Sequence, residues 1–192
     1  TDHNQRHYYG AAGAQIGLLN GKPLHDAGFK GKGMTIAILD GGFKNADRIP
    51  MMKNIKVMGS RDFVATPCES IFAETDHGTM VLSTIGMNRP EYFVGTAPEA
   101  EFWLIRSEDS GSETLVEEDY WAAAVEFADS VGVDVINSSL GYQDFDEEEM
   151  DHTYPELNGR TALISRTASM LAHKGIVHVN SAGNDGMSDH WN

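Results

Sequence analysis

Five short apolar runs, spaced along the chain and separated by segments of helical periodicity, constrain its fold more than any other feature. Met34 to Leu39, Ile55 to Met58, Glu101 to Arg106, Val133 to Ser138 and Ile176 to Asn180 each read as a strand. Between them, Trp121, Val125 and Ala128 fall at i, i+4 and i+7, as do Ile164, Ala168 and Leu171. Both segments can therefore lay an apolar stripe on a sheet. Strands alternating with helices predict an α/β fold, a mainly parallel sheet flanked by helices on both faces. A leading segment around Ile16, Leu19 and Leu24 predicts one more helix before the first strand. There is no internal repeat and no low-complexity tract.

In an open parallel sheet, ligands gather at the carboxyl ends of the strands. Asp40, the Ser139-Leu140-Gly141 loop and Asn184 each follow a predicted strand, so they belong to that edge. His77 opens a segment, Thr75 to Thr79, that reads as a capped helix start, with Val81, Leu82 and Ile85 continuing an apolar face. Taken singly, each residue has an ordinary reading. Asp40 before Gly41-Gly42 suits a turn or a helix cap, His77 a solvated first turn, and Asn184 a Gly-Asn-Asp turn.

Taken together, they suggest specific chemistry. Ile38-Leu39-Asp40-Gly41-Gly42, His77-Gly78-Thr79-Met80-Val81 and Ser181-Ala182-Gly183-Asn184-Asp185 resemble the aspartate, histidine and oxyanion-hole asparagine motifs of the subtilisin-like serine proteases. Gly95-Thr96-Ala97-Pro98-Glu99-Ala100 and Val133 to Gly141 resemble two further family segments, in the family's order. The resemblance runs from about Gly31 to Gly186. It implies a leading segment, 1–30, followed by a subtilisin-like catalytic domain, 31–192. It also implies peptide-bond hydrolysis, with Asp40 and His77 in a triad and Asn184 as oxyanion donor. Ser139, Leu140 and Gly141, with Ser181, Ala182 and Gly183, would line the pocket for the side chain before the cleaved bond. Ser110 to Thr114 would pair with the substrate as an added strand. Tyr9-Gly10, Gln15-Ile16 and Leu19-Asn20-Gly21 further resemble subtilases of the Bacteroidetes type.

One part of that machinery is missing. Neither Gly-Thr-Ser nor Gly-x-Ser-x-Gly occurs anywhere in the 192 residues. The expectation is a catalytic domain lacking its serine-bearing C-terminal part, inactive by itself, whose partner is that segment of the same protein. The alternative is a peptide-binding module that does not cleave. A third reading, a phosphate- or metal-dependent α/β protein using Asp40, lacks a glycine-rich phosphate loop.

Charge narrows the partners. Lys plus Arg number 14 against 29 Asp plus Glu, a net charge of −15. That disfavours nucleic acid and anionic membranes as partners; the family resemblance implies polypeptide substrates. Cys68, the single cysteine, cannot form an internal disulfide, and no Cys/His cluster has zinc spacing. No run approaches the ~20 apolar residues of a membrane span. Thr1 to Tyr9 carry no signal-peptide pattern, so secretion or a cell-surface location is implied by family resemblance alone. The proposed hydrolysis requires no cofactor. The acidic run Asp144, Asp146, Glu147, Glu148, Glu149 and Asp151 suits a solvated charged loop, with structural calcium as the family-derived alternative. Glu108, Asp109, Glu113, Glu117 and Glu118 likewise read as a solvated face, with acceptance of basic substrate residues as the alternative.

Overall fold

The computed structural model describes residues 8–142, 146, 147, 149, 151–184, 186 and 187. Two short helices, α1 (Gly13–Leu18) and α2 (Lys22–Asp26), precede β1 (Thr35–Asp40). Then follow β2 (Lys56–Asp62), α3 (His77–Gly86), the hairpin strands β3 (Asn88–Arg89) and β4 (Phe93–Val94), and β5 (Glu101–Arg106). The chain continues through α4 (Val116–Ser130), β6 (Val135–Ser138), α5 (Leu163–Leu171) and β7 (Val177–Asn180).

The five longer strands form one parallel sheet in the order β2-β5-β1-β6-β7. β1 sits at the centre because its side chains are apolar on both faces, the pattern of a parallel strand covered on each side. Ile36 and Ile38 face one core with Phe102, Leu104 and Leu82 of α3. Ala37 and Leu39 face the other with Ile105 and the α4 residues Trp121, Ala124, Val125 and Ala128. The expected α4 stripe is thus entirely buried, while on α5 Leu171 is buried and Ile164 and Ala168 pack partly against the same core. The edges are wetter. β2 is largely exposed with a register irregularity between Val57 and Gly59, and β7 leaves Val177 and Val179 open.

The leading segment departs from expectation. Instead of one helix around Ile16, Leu19 and Leu24 there are two, and of these three residues only Ile16 is buried. Leu19 and Leu24 are exposed because Gly21-Lys22-Pro23 restarts the chain in a new helix, with Pro23 in its first turn. Tyr9, Ala12, Ile16 and Val94 make a small separate core. It is pinned by His25, whose Nε2 donates to the Thr96 carbonyl (2.9 Å), so that its Nδ1 accepts from the Tyr9 hydroxyl (3.0 Å).

Helix α3 begins at His77, as the residue pattern predicts, but its cap differs. Asp76 makes no side-chain capping bond, and the Thr75 hydroxyl reaches the His77 N–H only at 3.5 Å. What positions this helix is close contact. A Cβ on Gly78 would stand 2.4 Å from the Gly42 carbonyl oxygen and 2.9 Å from Asp40 Cβ, so only glycine lets α3 start against the end of β1. Gly78→Ala should therefore destabilise the protein by about 1–3 kcal/mol, the usual cost of an overpacked contact, despite alanine's better helix propensity. Urea denaturation of the two proteins checks this, and unchanged stability would mean that the helix start can slide.

Candidate active site

Asp40 is the last residue of β1, and its side chain is only 1% exposed. One carboxylate oxygen accepts from the Gly41 N–H at 2.8 Å; the other accepts from His77 Nδ1 at 2.7 Å. Burial raises the Asp40 pKa, opposed by the neighbouring His77 and by backbone N–H groups. His77 stands on the first turn of α3 with its side chain 49% exposed. With Nδ1 donating to the carboxylate, a neutral imidazole presents Nε2 as an acceptor. Two residues far apart in sequence thus form an oriented base at the mouth of a cleft.

The cleft is a cavity of about 300 Å³ bordered by Asp40, His77, Glu108, Glu113, Ser139, Leu140 and Gly141, among others. A second cavity, about 410 Å³, is lined by Leu140, Gly141, Tyr142, His178, Ser181 and Gly183, among others. Leu140 and Gly141 border both. Ser181 continues the β6–β7 pairing through its N–H to the Ser138 carbonyl (3.1 Å). Ala182 and Asn184 are exposed on the loop that follows β7 and line neither of these two cavities. Asp185, at the end of that motif, lies outside the described residues.

The segment Ser110 to Thr114 is a turn and irregular chain rather than a strand. Both backbone groups of Glu113 are already taken by Asp146, whose side chain accepts from the Glu113 N–H (3.1 Å) and whose N–H donates to the Glu113 carbonyl (2.7 Å). Of the acidic run after this loop, Asp144 and Glu148 lie outside the described residues. Among the described residues no group of three or more His, Cys, Asp or Glu could hold a metal ion.

Some residues that shape the site carry no sequence signal. Arg106 is 2% exposed at the end of β5, opposite Asp40 in register. Its guanidinium donates to the Gly41 carbonyl (3.3 Å), to both Asp62 oxygens (3.3 and 3.2 Å) and to the Thr66 carbonyl (3.3 Å). It thereby ties the turn after β1 to the end of β2. The acidic residues before and on α4 are not one solvated face. Glu117 and Glu118 are buried, Glu118 paired with His152 and Glu117 accepting from the Asp109 N–H at 2.9 Å. Glu117 Oε2 has no donor to accept from. Burial first, then the charges of Glu113 and Glu108, push the Glu117 pKa up to about 8; protonated, it can donate to Glu113. Burial, then Glu113 and Asp40, push Glu108 up to about 7. The spacing of these residues resembles that of any amphipathic helix start; only their burial in the folded chain distinguishes Glu117 and Glu118.

Glu117 should leave a measurable mark on stability. Its folded pKa of about 8 exceeds the ordinary 4.5, so its contribution is fully present below about 4.5 and is lost as pH rises through about 8. Glu117→Gln keeps the bond from Asp109 and should flatten the fall in unfolding free energy across that window. Denaturation curves of both proteins over the interval check it; parallel pH profiles would mean that Glu117 ionises normally.

Comparison with known proteins agrees with this architecture. A model of the Subtilase family matches residues 31–191. Subtilisin E from Bacillus subtilis (strain 168) is 27% identical over 189 residues, covering 97% of this chain and 44% of that protein. Minor extracellular protease Vpr from the same organism is 31% identical over 169 residues, covering 84% of this chain and 19% of that one. Among solved structures, MycP1 from Mycobacterium smegmatis superposes with a TM-score of 0.61 at 22% identity, covering 89% of this chain and 45% of that one. MycP1 with its N-terminal propeptide removed gives 0.58 at 25% identity, covering 89% and 49%. This chain thus spans less than half the length of Subtilisin E. With the family model matched across most of its length and the same fold in solved relatives, the chain belongs to the subtilase family.

Proposed function

We propose that this chain forms the part of a serine endopeptidase that carries the catalytic base, its orienting carboxylate and the oxyanion donor. The observation that carries the reading is the 2.7 Å bond from His77 Nδ1 to the buried Asp40. In this mechanism His77 Nε2 takes the proton of a serine hydroxyl as that oxygen attacks the peptide carbonyl, and later gives it to the leaving amine. Asp40 keeps the tautomer and stabilises the imidazolium. Asn184 donates to the oxygen that becomes negative in the tetrahedral intermediate. These are the roles of the same constellation in subtilisin, carried to this chain residue by residue. The side chain before the cleaved bond enters the cavity between Ser139–Gly141 and Ser181–Gly183.

The serine comes from a segment of the same protein outside these 192 residues. The edge strand supports this: β7 exposes Val177 and Val179, and Met170 on the neighbouring helix is also open, surface that a further strand and helix would cover. Its site of action is outside the cell, as the name of one relative states for that protein. Among the described residues no helix is long and apolar enough to cross a membrane.

In the protein with its serine-bearing segment, His77→Ala should nearly abolish turnover. Asn184→Ala should lower kcat by about 10²- to 10³-fold with little change in substrate affinity, the range established for subtilisin itself and transferred to this residue. Undiminished kcat in the asparagine variant would remove Asn184 from the oxyanion hole. A phosphonate probe for activated serines should label the C-terminal segment and not this chain, read by mass spectrometry of the digested protein. Label on residues 1–192 would overturn the split assignment.

A further inference from the structure

Asp40, Arg106 and Asp62 stand on one rung at the carboxyl edge of the sheet, the last paired residues of β1, β5 and β2. A buried cation needs a partner charge, and Asp62 supplies it. Arg106 Nη1 donates to both Asp62 oxygens and to the Thr66 carbonyl, and Nη2 lies 3.9 Å from an Asp109 oxygen. Charge balance therefore accounts for the two outer nitrogens and leaves the inner one unexplained. Nε donates instead to the Gly41 carbonyl, at 3.3 Å.

Gly41 is the residue against which the catalytic carboxylate leans. Its N–H donates to one Asp40 oxygen at 2.8 Å, while the other oxygen accepts from His77 Nδ1 at 2.7 Å. Both polar backbone groups of Gly41 are thus engaged, one by Asp40 and one by Arg106. The same turn also seats α3. A Cβ on Gly42 would stand 2.5 Å from Glu74 Cβ and 2.8 Å from the Thr75 nitrogen. The Lys44 N–H donates to the Thr75 carbonyl (3.0 Å), and the Thr79 hydroxyl donates to the Lys44 carbonyl (2.9 Å). A shift at Gly41 is therefore passed to both ends of the Asp40–His77 bond.

We propose that Arg106 is a positioning residue for the catalytic base: by holding the Gly41 carbonyl it fixes the turn that aims Asp40 and seats His77. Its effect on rate rests on the peptidase reading above; its effect on the imidazole does not. Arg106 meets neither substrate nor the reacting serine, and acts by fixing where the base stands. The ionised state of Asp40 depends on the same turn. Burial raises the Asp40 pKa, and the Gly41 and Gly42 N–H groups oppose that rise together with His77, so a displaced turn withdraws two of the donors that keep the carboxylate charged.

The test uses the protein with its serine-bearing segment. Arg106→Gln should lower kcat by about 10- to 100-fold with KM little changed, the cost of a misplaced catalytic group. Arg106→Lys, whose single ammonium cannot serve Gly41 and Asp62 together, should fall between. Asp62→Asn weakens the ion pair but leaves the Gly41 bond, so it should lower the urea midpoint while kcat stays near wild type. A second readout needs no turnover. The His77 Nδ1–H proton, sheltered by its bond to Asp40, should exchange with water faster by NMR in Arg106→Gln and stay protected in Asp62→Asn. Wild-type kcat and exchange in a folded Arg106→Gln protein overturn the proposal. So does a loss of kcat that merely follows stability, alike in Arg106→Gln and Asp62→Asn. Should Arg106→Gln not fold, Arg106→Lys decides, faster His77 exchange upholding the proposal and wild-type exchange overturning it. If the wild type cuts no peptide, faster exchange in Arg106→Gln alone upholds the positioning of the imidazole and defeats the peptidase reading.

Discussion

Strand β1 is bonded along both edges and covered on both faces, and the chemistry of the chain depends on where it stops. Its last residue, Asp40, inherits the burial of the strand without having the apolar side chain that burial favours. A carboxylate in that position costs free energy unless its lone pairs are filled, and the Gly41 N–H and the His77 ring fill them. The pairing with β5 and β6 fixes the aspartate in space. The glycine contact at the start of α3 brings the imidazole to meet it. Orientation of the base is thus a property of sheet packing.

Around this pair the charges are layered. Arg106, buried and shared among Gly41, Asp62 and Thr66, supplies the positive counterweight beneath the turn. On the other side, burial first and neighbouring carboxylates next raise the pKa values of Glu108, Glu113 and Glu117. Net charge −15 alone suggests carboxylates kept at the surface; here several are drawn inward next to the site, where burial shifts their protonation. That arrangement resembles a tuned environment more than a solubilising coat.

The sheet was legible because strands buried on both faces read as unbroken apolar runs: Glu101 to Arg106 agrees residue for residue with β5, and the other strands shift by a few positions at their ends. The pairing of Asp40 with His77 was legible because each sits in a local motif with a glycine, Gly42 and Gly78, at which a Cβ would run into neighbouring backbone. The two-residue strands β3 and β4 were not, being too short to show periodicity. Nor were the exposures of Leu19 and Leu24, since apolar residues on a short surface helix look the same in sequence whether or not something covers them. Arg106, Glu117 and Tyr142 were invisible as site neighbours because their roles arise from contacts between segments far apart in the chain. Periodicity cannot distinguish a buried glutamate from a solvated one.

The contact at Gly78 has a consequence for anyone engineering this protein. A glycine inside a helix is normally the first position to fill, since alanine gains up to about 1 kcal/mol of helix propensity. Gly17, within α1, has nothing within 4 Å of a built Cβ and fits that rule. Gly78 inverts it, because the space a methyl group needs is occupied by the backbone that aims the aspartate. A propensity-guided redesign would treat the two glycines alike, and would strengthen one helix while prising the other away from the strand it serves.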